Sequence, residues 1–169
     1  QQKEELRQRI LNSAKLASLL IDGDKHSSIR PEITSQDTLV YKEIKEALKK
    51  IRDTDPLIDN VYTVVKTKKK NSWLLVVDSG DRKGITSYCG EPYDVSNFPQ
   101  MQTAFDMPSV DKELTEDKWG VWLSGYAPVY NRQGQVVAAV GLDVSAESIR
   151  GMQLLLAKRF LGVLVLGII

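Results

Sequence analysis

The stretch WGVWLSGYAPVYNRQGQVVAAVGLDVS, residues 119–145, decides the fold. It holds two strand-like runs, Val121 to Tyr130 and Gln135 to Val144, rich in β-branched and aromatic residues. The four residues NRQG join them, and Gly134 suits a turn position with positive φ. The pair is predicted to be an antiparallel hairpin. Along the second run, Val140, Leu142 and Val144 share one face and Ala139, Gly141 and Asp143 the other, because side chains alternate along a strand. The apolar set is expected to pack on helices. That leaves a carboxylate beside two very small residues, and a buried charge needs a partner, water or a ligand.

Outward from this hairpin, the chain divides by period. From Gln2 to Ile21 the residues Leu6, Ile10, Ala14, Ala17, Leu20 and Ile21 recur at helical spacing. Gly23 breaks that helix, and IDGDKHSSIRPEIT reads as a polar connector. A second helix is expected from Ser35 to Arg52, capped by Thr34 or Ser35, with Asp37 in its first turn and Val40, Ile44, Leu48 and Ile51 as its buried stripe. Ile58 to Thr67 and Trp73 to Asp78 read as a second antiparallel hairpin around KKKNS. Between Ser79 and Lys118 no period holds, apart from a short helix around Met101 to Phe105. A loop of that length in a compact domain usually carries function, as a lid or a binding-site wall. Ser145 is expected to cap a last helix that runs into an apolar tail, Phe160 to Ile169. The order of elements makes an α+β domain with a mostly antiparallel central sheet.

Composition excludes several functions. The 169 residues, 42% of them hydrophobic, suffice for one core. With 23 Lys+Arg against 22 Asp+Glu, the net charge of +1 singles out neither nucleic acid nor an anionic membrane surface. Lys66, Lys68, Lys69 and Lys70 read as a solvated hairpin tip. One cysteine, Cys89, allows no internal disulfide, and one histidine, His26, allows no Cys/His metal cluster. No cofactor is expected. Neither a nucleophile motif nor a glycine-rich phosphate loop is present, so the chain is not expected to be an enzyme. His26, with Asp22 and Asp24 nearby, reads as a structural hydrogen-bonding residue, with pH sensing as the competing role. The chain lacks an initiator Met and is expected to be a piece of a longer protein. Its apolar tail is about half of the roughly 20 residues needed to cross a bilayer, and it is expected to begin a transmembrane segment.

In their order, LIDGDKHSSI after the first helix, NVYTVVKTKKKNSWLLVVDSG, the hairpin quoted above and the hydrophobic exit resemble the extracytoplasmic Cache domains. These are the PDC or PAS-like sensor domains of membrane-bound histidine kinases, diguanylate cyclases and chemoreceptors. The resemblance implies a PAS-like sheet with a long N-terminal helix and connector (1–34), a single sensor domain (35–159) and the start of a membrane span (160–169). The length suits one module, so the tandem pair of the double form is missing. It further implies an extracellular or periplasmic location, a small-molecule pocket between sheet and long loop, and signalling through the terminal helices.

The residues expected to line that pocket are Asp143, Tyr126, Tyr62, Trp122, Trp119, Asp78 and Trp73. A small floor, aromatic walls and a carboxylate suit an amine, a quaternary ammonium or an amino-acid-like ligand. In the competing local reading, Asp143 bonds to backbone N–H groups ahead of Ser145, Gly141 and Ala139 are small because a helix packs closely there, and Asp78 stabilises its turn. The competing functional reading is a module that senses a partner protein and dimerises by pairing the Gln2 to Ile21 stripe with its copy.

Overall fold

The computed structural model describes residues 1–80 and 83–166, with side chains up to Lys158. Helix α1 spans Gln2–Leu20 and buries Leu6, Ile10, Ala14 and Ala17. Leu20, expected in that stripe, is instead exposed, together with Leu16 and Leu19. The connector contains a short helix, α2 (Gly23–Ser27), whose start is capped by the Asp22 carboxylate accepting from the N–H groups of Asp24 and Lys25. Five residues carry too little periodicity to betray a helix.

The second long helix, α3, spans Leu39–Asp53 and starts four residues later than the spacing suggests. Ile33–Asp37 instead form a 3-10 turn. The cap is Thr38, whose hydroxyl accepts from the Tyr41 N–H at 3.3 Å, so neither Thr34 nor Ser35 serves. The later start makes Tyr41 a fully buried member of the stripe with Ile44, Leu48 and Ile51.

Strands β1 (Asn60–Lys66) and β2 (Ser72–Asp78) form the first hairpin. The long excursion is less irregular than its sequence. It holds β3 (Glu91–Asp94), α4 (Pro99–Gln102), β4 (Ser109–Val110) and β5 (Thr115–Glu116). Pro92 sits in β3, which is tolerable because β3 is an edge strand. Helix α4 starts two residues ahead of the expected Met101, with Pro99 at its first position. Strands β6 (Val121–Tyr130) and β7 (Val136–Ser145) are the hairpin read from residues 119–145. Among the described residues the sheet runs β3-β2-β1-β7-β6-β4, with β5 also on β6, and each pairing is antiparallel.

The two faces of this sheet differ in kind. On one, Val140, Leu142 and Val144 join Leu123, Ala127 and Val129 beneath α1 and α3. Helix α1 lies so close to β6 that a Cβ on Gly125 would come within 2.8 Å of Ile10 Cγ2. On the other face, Tyr62, Val64, Trp73, Leu75, Tyr126 and Ala139 pack against Val95, Phe98 and Met101 from the excursion.

Helix α5 (Ala146–Leu166) follows β7 directly. Its first turn is held by Ser145, whose hydroxyl accepts from the Ser148 N–H at 3.0 Å, and by Asp59, whose carboxylate accepts from the Ser145 N–H at 2.7 Å. The expected membrane segment, Phe160 to Ile169, runs beyond the residues whose side chains are described. Among the described residues no helix is long and apolar enough to cross a membrane.

Candidate functional site

The strand register puts Asp143 in the centre of the sheet, opposite Asn60 on β1 and Ser124 on β6. Its carboxylate points to the excursion side. The Ser124 hydroxyl donates to Asp143 Oδ1 at 2.7 Å. This is the one hydrogen bond to that carboxylate among the described residues, which overturns the local reading of Asp143 as a group satisfied by backbone N–H. Burial pushes its pKa well above the ordinary carboxyl range, the Ser124 bond opposes that shift, and Asp117, Asp111 and Asp78 raise it further. The acid is therefore held towards its neutral form, and an approaching cation favours loss of its proton.

Gly141 is small for a different reason from the one weighed above. Tyr62, its partner on β1, folds its ring back over the glycine, and a Cβ there would meet Tyr62 Cζ at 2.4 Å. The helix-packing glycine is Gly125 on the other face. The Tyr62 phenol is buried, which raises its pKa well above the usual value, with Asp143 next in effect. The ring remains an uncharged wall.

A small recess opens beside Asp143, lined by Asn60, Tyr62 and Asp78 from the first hairpin, Tyr93 and residues 85–87 from the excursion, and Asp117, Trp119 and Trp122 at the start of β6. Its free volume is about 30 Å³, room for one or two waters. Five expected residues meet here: Asp143, Tyr62, Trp122, Trp119 and Asp78. The other two do not line it. Tyr126 lies buried under the excursion with its hydroxyl 3.4 Å from Asp111 Oδ2. Trp73 sits farther along β2, edge-on to Phe105 at 5.1 Å between ring centres. Both share the sheet face of the site, since parity fixes the face, but position along a strand depends on how the excursion folds over it.

The three carboxylates at the recess have unequal freedom. Asp78 is spent on its turn: Oδ1 accepts from the Gly80 N–H at 2.7 Å, and Oδ2 from the N–H and hydroxyl of Ser87 at 2.8 and 2.7 Å. Asp117 is spent on the rim. Its Oδ1 accepts from the N–H groups of Trp119 and Gly120 at 2.9 and 3.1 Å and from the Trp122 indole at 3.0 Å. Its Oδ2 accepts from the Tyr93 hydroxyl at 2.8 Å. Of the three, Asp143 alone keeps an oxygen without a partner among the described residues.

Sequence reasoning missed Asp117 and Tyr93, because the excursion shows no period by which to place them. The only sequence signal was Asp117 two residues ahead of a Trp-Gly pair, an Asx-turn pattern. Tyr93 stacks on Trp119 at 5.7 Å and on Phe98 at 5.4 Å, making an aromatic column along the rim. Lys118 covers its outer end, with its ammonium 4.3 Å from the Trp119 ring centre and an ion pair to Glu91.

No protein-family model matches the chain, and no curated protein matches it in sequence. Solved structures do match in fold. An extracellular ligand binding receptor from Desulfohalobium retbaense superposes with a TM-score of 0.59 at 16% identity, over 88% of this chain and 24% of the receptor. The periplasmic sensory domain of a Campylobacter jejuni chemoreceptor superposes with a TM-score of 0.52 at 12% identity, over 88% of this chain. The chain spans 57% of that sensory domain's length. With its N-terminal helix laid on one face of an antiparallel sheet and its excursion on the other, the chain has the fold of the Cache, or PDC, PAS-like sensor domains.

Proposed function

We propose that this chain is the extracytoplasmic ligand-binding domain of a transmembrane signalling protein, a histidine kinase or a chemoreceptor, and that it takes a small amine, quaternary ammonium or amino-acid-like ligand beside Asp143. The observation that carries this reading is the Asp143 carboxylate: buried, opposed by neighbouring carboxylates, and with one oxygen facing an aromatic-rimmed recess. An entering ammonium compensates that unfavourable buried acid and gains cation–π contact with Tyr62, Tyr93 and Trp119. At about 30 Å³ the recess is closed to anything larger than water. Admission of a ligand therefore moves the 117–120 turn, which is tied through Asp117 to β6 and β3.

Such a movement biases the terminal helices only if ligand affinity differs between the two arrangements. The strand that carries Asp143 passes straight into α5, and Asp59, bonded to the Asp143 carbonyl through its N–H at 2.9 Å, also holds the first turn of α5. A thermal-shift screen of amines, betaines, amino acids and simple carboxylates tests the reading. Cationic hits that vanish in Asp143→Ala support it; hits unchanged by that substitution, or hits among carboxylates alone, overturn it.

A second reading, a dimerising module that senses a protein, draws on one observation. The stripe first expected to pair with its copy is spent on the domain's own sheet, but Leu16, Leu19 and Leu20 leave an apolar outer face on α1. Sedimentation of the intact chain against Leu19→Glu tests this: a dimer lost on substitution favours it, and an unchanged monomer counts against it.

A further inference from the structure

The recess and α1 lie on opposite faces of the sheet, yet one unbroken set of hydrogen bonds joins them around the β6 edge. Ser124 is its pivot. Its hydroxyl donates to Asp143 Oδ1 at 2.7 Å on the recess side, while its backbone N–H donates to Asp111 Oδ2 at 3.0 Å. Its carbonyl accepts from the Asp111 N–H at 2.8 Å. The Asp111 carbonyl in turn accepts from Arg7 Nε of α1 at 2.9 Å, and the Arg7 guanidinium also donates to Glu4 at 2.6 Å. Asp111 is 1% exposed and Ser124 3%, so water does not loosen the bonds between these two residues.

Asp111 has a further peculiarity. Its Oδ2 takes the Ser124 N–H and lies 3.3 Å from the Thr115 hydroxyl and 3.4 Å from that of Tyr126. Its Oδ1 is buried with no partner, a condition shared among the described side chains only by the Tyr41 hydroxyl. A buried carboxylate oxygen without a donor is unfavourable. It becomes satisfied if the carboxylate turns and a guanidinium nitrogen of Arg7 leaves Glu4 for Oδ1. Such a turn would draw α1 towards β6.

We infer that Asp111 is the positioning residue that ties the state of the Asp143 recess to α1, through Ser124 on one side and Arg7 on the other. The purpose of this tie rests on the sensor reading above, but its existence can be read without any ligand. When Asp143 changes charge or is contacted, the Ser124 hydroxyl follows it, the Ser124 backbone shifts against Asp111, and the Arg7 contact passes the change to α1.

The test is a double-mutant cycle on the full chain, read by hydrogen–deuterium exchange of the α1 amides of residues 7–14. Asp143→Ala supplies the perturbation, since it removes the acceptor of the Ser124 hydroxyl. In the parent chain this substitution is expected to change α1 exchange by about fivefold or more. In an Arg7→Gln background the change disappears, and in Arg7→Lys, which can still reach the Asp111 carbonyl, it returns in part. Asp111→Ala, which removes the side-chain acceptor of the Ser124 N–H, is expected to weaken the response by a second route, and Arg7→Gln, on a partly exposed side chain, keeps the cycle readable if Asp111→Ala does not fold. An α1 response of equal size in parent and Arg7→Gln backgrounds overturns the inference, as does no response in the parent. A failed ligand screen would instead sink the sensor reading and leave this cycle's outcome standing.

Discussion

The Tyr62 ring rests directly on Gly141, its partner across the β1–β7 ladder, with Cζ, Cε2 and the hydroxyl all within 2.6 Å of where a Cβ would stand. The strand face that carries Asp143 is therefore filled at Gly141, and the recess survives only beside it. Gly141→Ala is expected to drive the ring out of its place and to cost about 1–3 kcal/mol, the usual penalty of overpacking a core. In a Tyr62→Ala background the same substitution is expected to cost much less. Urea unfolding of the four proteins checks this, and equal costs in both backgrounds would dispose of the contact as the cause.

Asp143→Asn keeps the Ser124 bond and removes the acid. A carboxyl whose folded pKa is raised stabilises the fold fully below its unfolded value and loses that contribution as pH rises through the folded one. The parent is thus penalised at pH 7 and the Asp143→Asn variant is not. That variant is expected to unfold at higher urea than the parent at pH 7, with the gap closing as pH falls towards about 4. Asp143→Ala, which strands the Ser124 hydroxyl, is expected to gain less.

His26 and Asp111 act in opposite directions over one pH window. Burial lowers His26 to about 4, and its ring shares a 2.8 Å hydrogen bond with Thr63. A depressed histidine favours the fold above about 6.5 and loses up to roughly 3 kcal/mol as pH falls to about 4. Asp111 is pushed up to about 6 by burial, against its bonds to Ser124, Thr115 and Tyr126 and the charge of Arg7. It gains up to roughly 3 kcal/mol over nearly the same fall. The parent is expected to show little net change between pH 6.5 and 4 from this pair. His26→Gln should become more stable on acidification and Asp111→Asn less so, as read from urea midpoints across that range. Parallel profiles for the two variants would refute the assignment.

Asp117 gathers four donors from the rim, three on one oxygen. Asp117→Ala is expected to cost roughly 2–4 kcal/mol and to release the 117–120 turn. Trp119 and Trp122 should then become open to iodide quenching of their fluorescence. Unaltered quenching would mean that stacking on Tyr93, rather than the carboxylate, keeps the rim closed.

What the sequence determined by itself was whatever repeats: the helical stripe of α1, the alternation of β6 and β7, and hence the face on which Asp143 and Tyr62 stand. Local chemistry also settled Ser145 as the α5 cap, since a cap needs only its own next turn. Neighbouring residues cannot announce the late start of α3, because Thr38 wins as cap only once Tyr41 is buried. Only the tertiary structure decided that Tyr93 and Asp117 close the recess, that Trp73 and Tyr126 fall outside it, and that Asp111 bridges Ser124 and Arg7. Those contacts join segments far apart in the chain, and hydrogen-bond partners and packed volume across such distances leave no period to read.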